Sequence, residues 1–458
     1  MNDIEKDDDI ELSRHYTIPG LIRYAAVPML TMLLVSIYMV VDGLFIANFT
    51  SETSYAGCIL VTPYVMIFPA IGFMVGGGGN ALLGKLLGEN ERERAVDVFS
   101  MLVEFTLIAV IVTTTIGALF MKSFLTMQGA SGELLSEALS YGKIVMLGTV
   151  FLALQYELQL FMITSGKEEL TFVYTLIAGI TNIGLDAFLI LVVGMGVRGA
   201  AIGTITAQFV GSLLPFIYYI RSRKKDEAIL FFRWTKCEFK PIADSCINGL
   251  SEMIENIAES IAGFVYNYKL MAIAGEAGVD SYGSVMYVFI IFTVLFVGFN
   301  ESLVPMIGYH YGARNLTELK GLIKKCFLIL FGYSLLFAVI SIGFANQLSA
   351  IFSDGNKVIY ELGVTGFRIC GISLLLKGCA MFFPSLYTGL NNGWLSALLS
   401  LFEILVFPVI SVLILPVFFG MDGVWWSEPF SWLLSAIMCV IVVRLSNDYK
   451  EIYNKINF

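Results

Sequence analysis

Apolar runs long enough to cross about 30 Å of hydrocarbon recur about twelve times along this chain, at roughly 18–48, 55–84, 95–121, 137–165, 170–194, 199–220, 241–274, 282–309, 320–348, 361–389, 394–418 and 423–445. Inside a bilayer every backbone N–H and C=O must be satisfied within the chain, so runs of this length read as helices. The expected fold is all-α and integral to a membrane, with about twelve transmembrane helices. Composition agrees, since 57% of the 458 residues are hydrophobic and 14% are charged, far too apolar for a water-soluble domain.

The formal charge of −9 includes the acidic head Asp3-Ile4-Glu5-Lys6-Asp7-Asp8-Asp9 and points to no nucleic-acid partner. That head has no basic n-region, so no cleaved signal peptide is read and the first span is expected to stay. Seven dispersed cysteines, with no CxxC spacing, read as small core residues rather than disulfides or metal ligands. His15 and His310 lie at span ends and are too far apart in sequence to suggest a metal cluster.

An even number of spans puts both termini on one side. Lys85, Arg92, Arg94, Lys167, the basic stretch from Arg221 to Lys240, and Arg314, Lys320, Lys324 and Lys325 all fall in one set of connections. Thr50-Ser51-Glu52-Thr53-Ser54 and Ala274-Gly275-Glu276-Ala277-Gly278 of the opposite set carry none. The positive-inside rule makes the first set, and both termini, cytoplasmic in a multi-pass protein of the cell (plasma) membrane. The triplet Asn48-Phe49-Thr50 would then face outward, though such sequons often arise by chance.

The basic stretch divides the chain into a segment 1–17, a six-helix bundle 18–220, a linker 221–240, a second bundle 241–445 and a tail 446–458. The halves share a register: Gly84 and Gly308, Gly88 and Gly312, Gly142 and Gly366, and Gly199 and Gly423 all stand 224 residues apart. Six spans per half give the two halves the same orientation, so they should be related by an axis along the membrane normal, with a cavity between or within them. Such an arrangement suits alternating access, and it is also compatible with a channel or a scaffold.

Asp42 is an ionisable group inside the first span, which is costly unless it faces protein or a water-filled cavity. In the fifth span Asn182 and Asp186 are i and i+4, on one helix face, and Thr204 follows early in the sixth. At about 1.5 Å per residue, Asp42, Asp186 and Thr204 sit about 10, 12 and 8 Å in from the same side of the membrane. Their oxygens suit a Na⁺ ion or a proton shared between carboxylates, and a structural hydrogen-bond network would use the same groups. Shifting by 224 residues replaces the set with Tyr266, Val406, Ile410 and Glu428, so this site is expected in the first half alone.

Glu252, Glu255 and Glu259 open the seventh span on one face and form a possible second coupling or substrate site, although the first two could be helix-end residues. Glu104, Glu157, Lys269, Glu301, Arg368, Lys377 and Glu403 suit either cavity lining or pairing across helices. The run Gly76-Gly77-Gly78-Gly79-Asn80 lies inside a span and follows no strand, so it is read as permitting close helix approach. Prolines such as Pro28, Pro63, Pro69, Pro305 and Pro416 are expected kinks. No cofactor is expected, and no cluster of nucleophile and base suggests an enzyme.

Over nearly its whole length the chain resembles the multidrug and toxic-compound extrusion (MATE) family. The resemblance is carried by Pro28 with Ser36-Ile-Tyr-Met-Val-Val-Asp42-Gly-Leu-Phe-Ile46, by Gly84-Lys-Leu-Leu-Gly88, by Asn182-x-x-x-Asp186, by Gly199-Ala-Ala-x-Gly-Thr204 and by the repeat. It implies a V-shaped pair of six-helix bundles, acting as a monomer. It also implies a secondary active multidrug efflux transporter of bacterial type, exporting amphipathic, often cationic drugs by antiport with H⁺ or Na⁺, with a part in antibiotic resistance. The family's cation site carries over to Asp42, Asn182, Asp186 and Thr204, and its seventh-span acid to Glu259. Acidic residues used elsewhere in the C-terminal half of some members have no clear match. A lipid-linked oligosaccharide flippase of the same superfamily would favour a cationic cavity, for which Lys143, Lys269, Arg368 and Lys377 are available.

Overall fold

The structure, a computed structural model, describes residues 10–224, 228–353 and 355–446. The acidic head at residues 3–9, Lys225 and nearly all of the tail lie outside the described residues. The described residues fold into fourteen α-helices and contain no strand: α1 (Ile18–Phe49), α2 (Glu52–Met66), α3 (Ala70–Gly88), α4 (Arg92–Met127), α5 (Gly132–Thr164), α6 (Glu168–Asp186), α7 (Val197–Ser222), α8 (Phe239–Asn248), α9 (Leu250–Gly312), α10 (Leu316–Gly343), α11 (Ala345–Phe352), α12 (Lys357–Gly389), α13 (Gly393–Ser400) and α14 (Phe407–Leu445). Wider π turns, Ala187–Val192 and Leu401–Val406, follow α6 and α13.

Ten helical stretches among the described residues are long and apolar enough to cross a membrane. Two of these are too long to be single spans, for at 1.5 Å per residue the 63 residues of α9 would reach about three bilayer thicknesses. Both are broken at a glycine in the left-handed region: Gly275 (φ 62°, ψ −154°) in α9 and Gly420 (φ 56°, ψ −133°) in α14. Counting each as two restores twelve spans.

Several boundaries differ from the sequence reading. The second run is two helices, because Pro69 removes an N–H where α2 ends and α3 begins. The seventh run begins with the short separate helix α8, joined to α9 through Gly249. The linker is shorter than 221–240, lying between Ser222 and Phe239, and its charge is answered by α4. Arg233 pairs with Asp97 at 2.8 Å and Glu93 at 2.6 Å, and Arg94 with Glu238 at 2.5 Å, which holds the Glu238 carboxyl below its usual range.

The 224-residue register is built into the backbone and the packing. Gly196 (φ 55°, ψ −137°) and Gly420 (φ 56°, ψ −133°) are repeat partners with one unusual conformation, and Asn90 and Arg314 are partners that both have positive φ. Gly142 packs on Val61 while Gly366 packs on Val285, again partner for partner. Where the halves meet, Gly84 and Gly88 of α3 lie against the backbone at Pro305 and Tyr309 of α9, and Gly308 and Gly312 lie against Ala81 and Lys85. Each contact is the other's image, so the pseudo-twofold axis runs between α3 and the second half of α9. The glycine run of α3 serves the same end. With about 100° between successive residues, Gly76 faces Glu157, Gly77 faces Glu252, Gly78 faces α8, and Gly79 faces Leu102 and Phe161.

Candidate functional site

Each half holds one group of acids; that of the second half runs from buried Glu301 and Glu403, through part-buried Glu252, Glu255 and Glu428, to exposed Glu259. In the first half, α1 brings Asp42, α6 brings Asn182 and Asp186, and α7 brings Thr204. The Asp42 carboxyl faces Asp186 and Thr204, and Asp186 faces Asn182. Asp186 is the last residue of α6, where the helix widens into the π turn, and it is fully buried. Its carboxylate occupies the space left by Gly203 on α7, where a β-carbon would collide with Oδ1.

The oxygens of this group are in excess of donors. Oδ1 of Asp42, Oδ1 of Asn182, both carboxyl oxygens of Asp186 and Oγ1 of Thr204 are buried and have no hydrogen-bond partner outside the group itself. Leaving such groups unsatisfied costs about 1–3 kcal/mol each, and more for charged ones, so the arrangement suits a bound proton or an oxygen-seeking cation. The chain's own residues thus fit H⁺ or Na⁺, and the four residues singled out by the sequence do come together.

Sequence reasoning did not single out the residues around them. Tyr38 stands one helical turn before Asp42, faces Gln155 and packs on Gly179 of α6. Tyr141 of α5 lies beside both aspartates. Polar residues in α5 were the available signal, but only the packing of α5 on α7 and its other neighbours decides which of them point inward.

The second half encloses a cavity of about 470 Å³. Glu252, Glu255 and Glu259 line it from the first half of α9, Glu301 from the second half, Glu403 from the π turn before α14, and Glu428 from α14. Glu252, which is in the first turn of α9, and Glu255, about one turn further on, both line the cavity. Among the four basic residues weighed from the sequence, Lys377 of α12 lines the cavity, with its Nζ 5.1 Å from the centre of the Trp432 ring, whereas Lys143, Lys269 and Arg368 do not. Glu428 was noted only as the counterpart of Thr204, yet it and Tyr266, the counterpart of Asp42, both line this cavity. The two halves therefore place polar groups at repeat-related positions but divide them differently.

The halves touch at the acids as well. Tyr156 Oη of α5 donates across to Glu301 Oε1 at 2.5 Å, while within the second half Ser400 Oγ donates to Glu255 Oε1 at 2.7 Å. Glu104 is half-buried and Glu157 fully buried, with unpartnered oxygens, outside both groups.

Two repeated six-helix bundles, each with buried acids among apolar helices, define a multi-pass membrane protein of the transporter class. The MatE family profile matches residues 28–188 and 253–414, one match in each half, and the chain belongs to that family of membrane transporters. It is 24% identical over 432 residues, 94% of each chain, to multidrug export protein MepA of Staphylococcus saprophyticus, and 23% identical over 458 residues, 97% of each chain, to MepA of Staphylococcus aureus. Among solved structures, one described as the outward-facing conformation of a multidrug resistance MATE family transporter of the MOP superfamily superposes with a TM-score of 0.89 at 22% identity, covering 96% of this chain and 98% of that one. A MOP superfamily transporter from Pyrococcus furiosus, whose pocket is described as reversed in polarity, superposes at 0.84 with 23% identity, covering 93% and 94%. These likenesses give this chain the twelve-helix, V-shaped fold of the family.

Proposed function

We propose that this protein exports amphipathic organic cations by antiport with H⁺ or Na⁺, as a monomer whose two halves give alternating access. The observation that carries the reading is the set of five buried oxygens on Asp42, Asn182, Asp186 and Thr204 that face one another and have no partner outside the group. The multidrug export proteins among its relatives support the class of cargo.

Two neighbouring carboxylates hold one proton between them more readily than none, because their like charges repel. With the Asn182 and Thr204 oxygens they also offer a Na⁺ ion a set of hard donors. Loading either ion removes the repulsion between Asp42 on α1 and Asp186 on α6 and draws the helices together. Unloading restores the negative charge, which favours a cationic cargo.

α1 is suited to move. Pro28 lacks an N–H, so the carbonyl of Tyr24 has no helical donor and the helix has a natural hinge there. In the second half, Glu252, Glu255 and Glu259 are assigned to the cargo cavity. Both termini, and the basic connections, are assigned to the cytoplasmic side of the cell membrane.

Ethidium efflux from vesicles containing the purified protein, driven separately by a pH and by a Na⁺ gradient, tests the reading. One gradient should drive uphill efflux; equal, gradient-independent leakage under both would contradict it.

A further inference from the structure

We infer that the cavity of the second half is a binding site for linear aliphatic polyamines; the inference rests on the efflux reading above and narrows its cargo. Six carboxylates, Glu252, Glu255, Glu259, Glu301, Glu403 and Glu428, line one cavity with a single lysine. Lys377 stacks on Trp432 and stands near Glu403 and Glu428, so it offsets one end of the cavity and leaves the other end in acidic excess. Glu403, 4% exposed, lines the cavity with a buried, partnerless Oε2, and Glu301, 7% exposed, keeps a partnerless Oε2 beside the oxygen that accepts from Tyr156.

The negative charge is spread out rather than focused. Among the described residues no three carboxylate, cysteine or histidine side chains converge closely enough to hold a metal ion. Instead Glu252, Glu255 and Glu259 form a ladder at i, i+3 and i+7 on α9, rising about 4.5 and then about 6 Å along the helix axis. Ammonium groups joined by three- and four-carbon chains are about 5 and about 6 Å apart when extended, given tetrahedral carbon geometry. A ladder with those steps matches an extended triamine, each ammonium donating to one rung.

The other walls suit the methylenes between the charges. Tyr266, Tyr282, Phe289 and Trp432 line the cavity, with Tyr266 and Tyr282 stacked at 5.3 Å between ring centres. A flat aromatic cation carries its charge at one place and would leave most rungs unanswered. A chain of ammonium groups and methylenes meets both the ladder and the apolar walls.

Equilibrium binding of radiolabelled spermidine to the purified full-length protein tests this directly, with putrescine and monoamines of equal length as competitors. Saturable binding is expected, weakening from spermidine to the diamine and again to the monoamine by about tenfold or more at each loss of an ammonium rung. Glu255→Gln should weaken spermidine binding about tenfold or more while Arg233→Ala, in the linker and away from both acid groups, keeps it; monodisperse elution of each variant on size exclusion verifies folding. No saturable spermidine binding by the wild-type protein, or equal affinity for triamine and monoamine, would overturn the inference without use of any variant. Ethidium efflux run in parallel separates the two claims: vesicles that export ethidium while the protein ignores spermidine contradict the polyamine site alone, and loss of gradient-driven ethidium efflux contradicts the efflux reading.

Discussion

Asp186 and Gly203 fit together as knob and hollow: the carboxylate at the end of α6 fills the space that the missing side chain leaves on α7. A Gly203→Val change would force the carboxylate out of line with Asp42 and Thr204. Gly203→Val is expected to abolish gradient-driven efflux as completely as Asp186→Asn, while the protein still reaches the membrane in normal amount. Efflux assays with a membrane-fraction immunoblot measure both; normal transport by Gly203→Val would show that the position of the Asp186 carboxylate does not matter.

Closure between the halves depends on four glycines. A β-carbon at Gly88 or Gly312 would strike the backbone of the opposing helix, at Tyr309 and Lys85. Overpacking of this kind costs about 1–3 kcal/mol, which shifts a two-state equilibrium by about fivefold to about a hundredfold. Gly88→Leu or Gly312→Leu is therefore expected to open this end, seen as faster labelling of a cysteine placed at Ala81. Because the two contacts are repeat images, the two variants should behave alike; opposite effects would argue against the shared axis.

Tyr156 reaches across the halves to Glu301 at 2.5 Å. Tyr156→Phe removes that donor and leaves both oxygens of a buried carboxylate unanswered, a change of about 1–3 kcal/mol. The expected result is a slower transport cycle with cargo binding within a few-fold of wild type, separable by turnover and equilibrium binding.

The linker pairs of Arg233 with Glu93 and Asp97 are part-exposed, at 2.6 and 2.8 Å. Exposed pairs are worth about 0–1 kcal/mol, so Arg233→Ala should lower the melting temperature by no more than a few degrees and leave efflux intact.

Much of this organisation was legible in the sequence, for identifiable reasons. Asp42 stood out because a carboxylate in an apolar run is costly, and Asn182 and Asp186 because i, i+4 fixes a shared face before any packing is known. The glycine register was legible because close approach of two helices leaves no alternative residue, and it reappears as the reciprocal contacts of Gly84 and Gly308. The second cavity was less legible. Whether Glu301, Lys377, Glu403 and Glu428 face one another depends on how four separate segments rotate about their axes, and the π turn at Leu401–Val406 changes that rotation for Glu403. The inter-half bond from Tyr156 to Glu301 joins residues 145 apart in sequence and leaves no local signature.

The claim on which the account turns is that Asp42 loads the coupling ion. Purified wild-type protein and Asp42→Asn, reconstituted at equal density, should be compared for ethidium transport under an imposed pH gradient and, separately, an imposed Na⁺ gradient. The account predicts uphill transport by the wild type under at least one gradient and none by Asp42→Asn under either. Wild-type rates from the Asp42→Asn protein would contradict it.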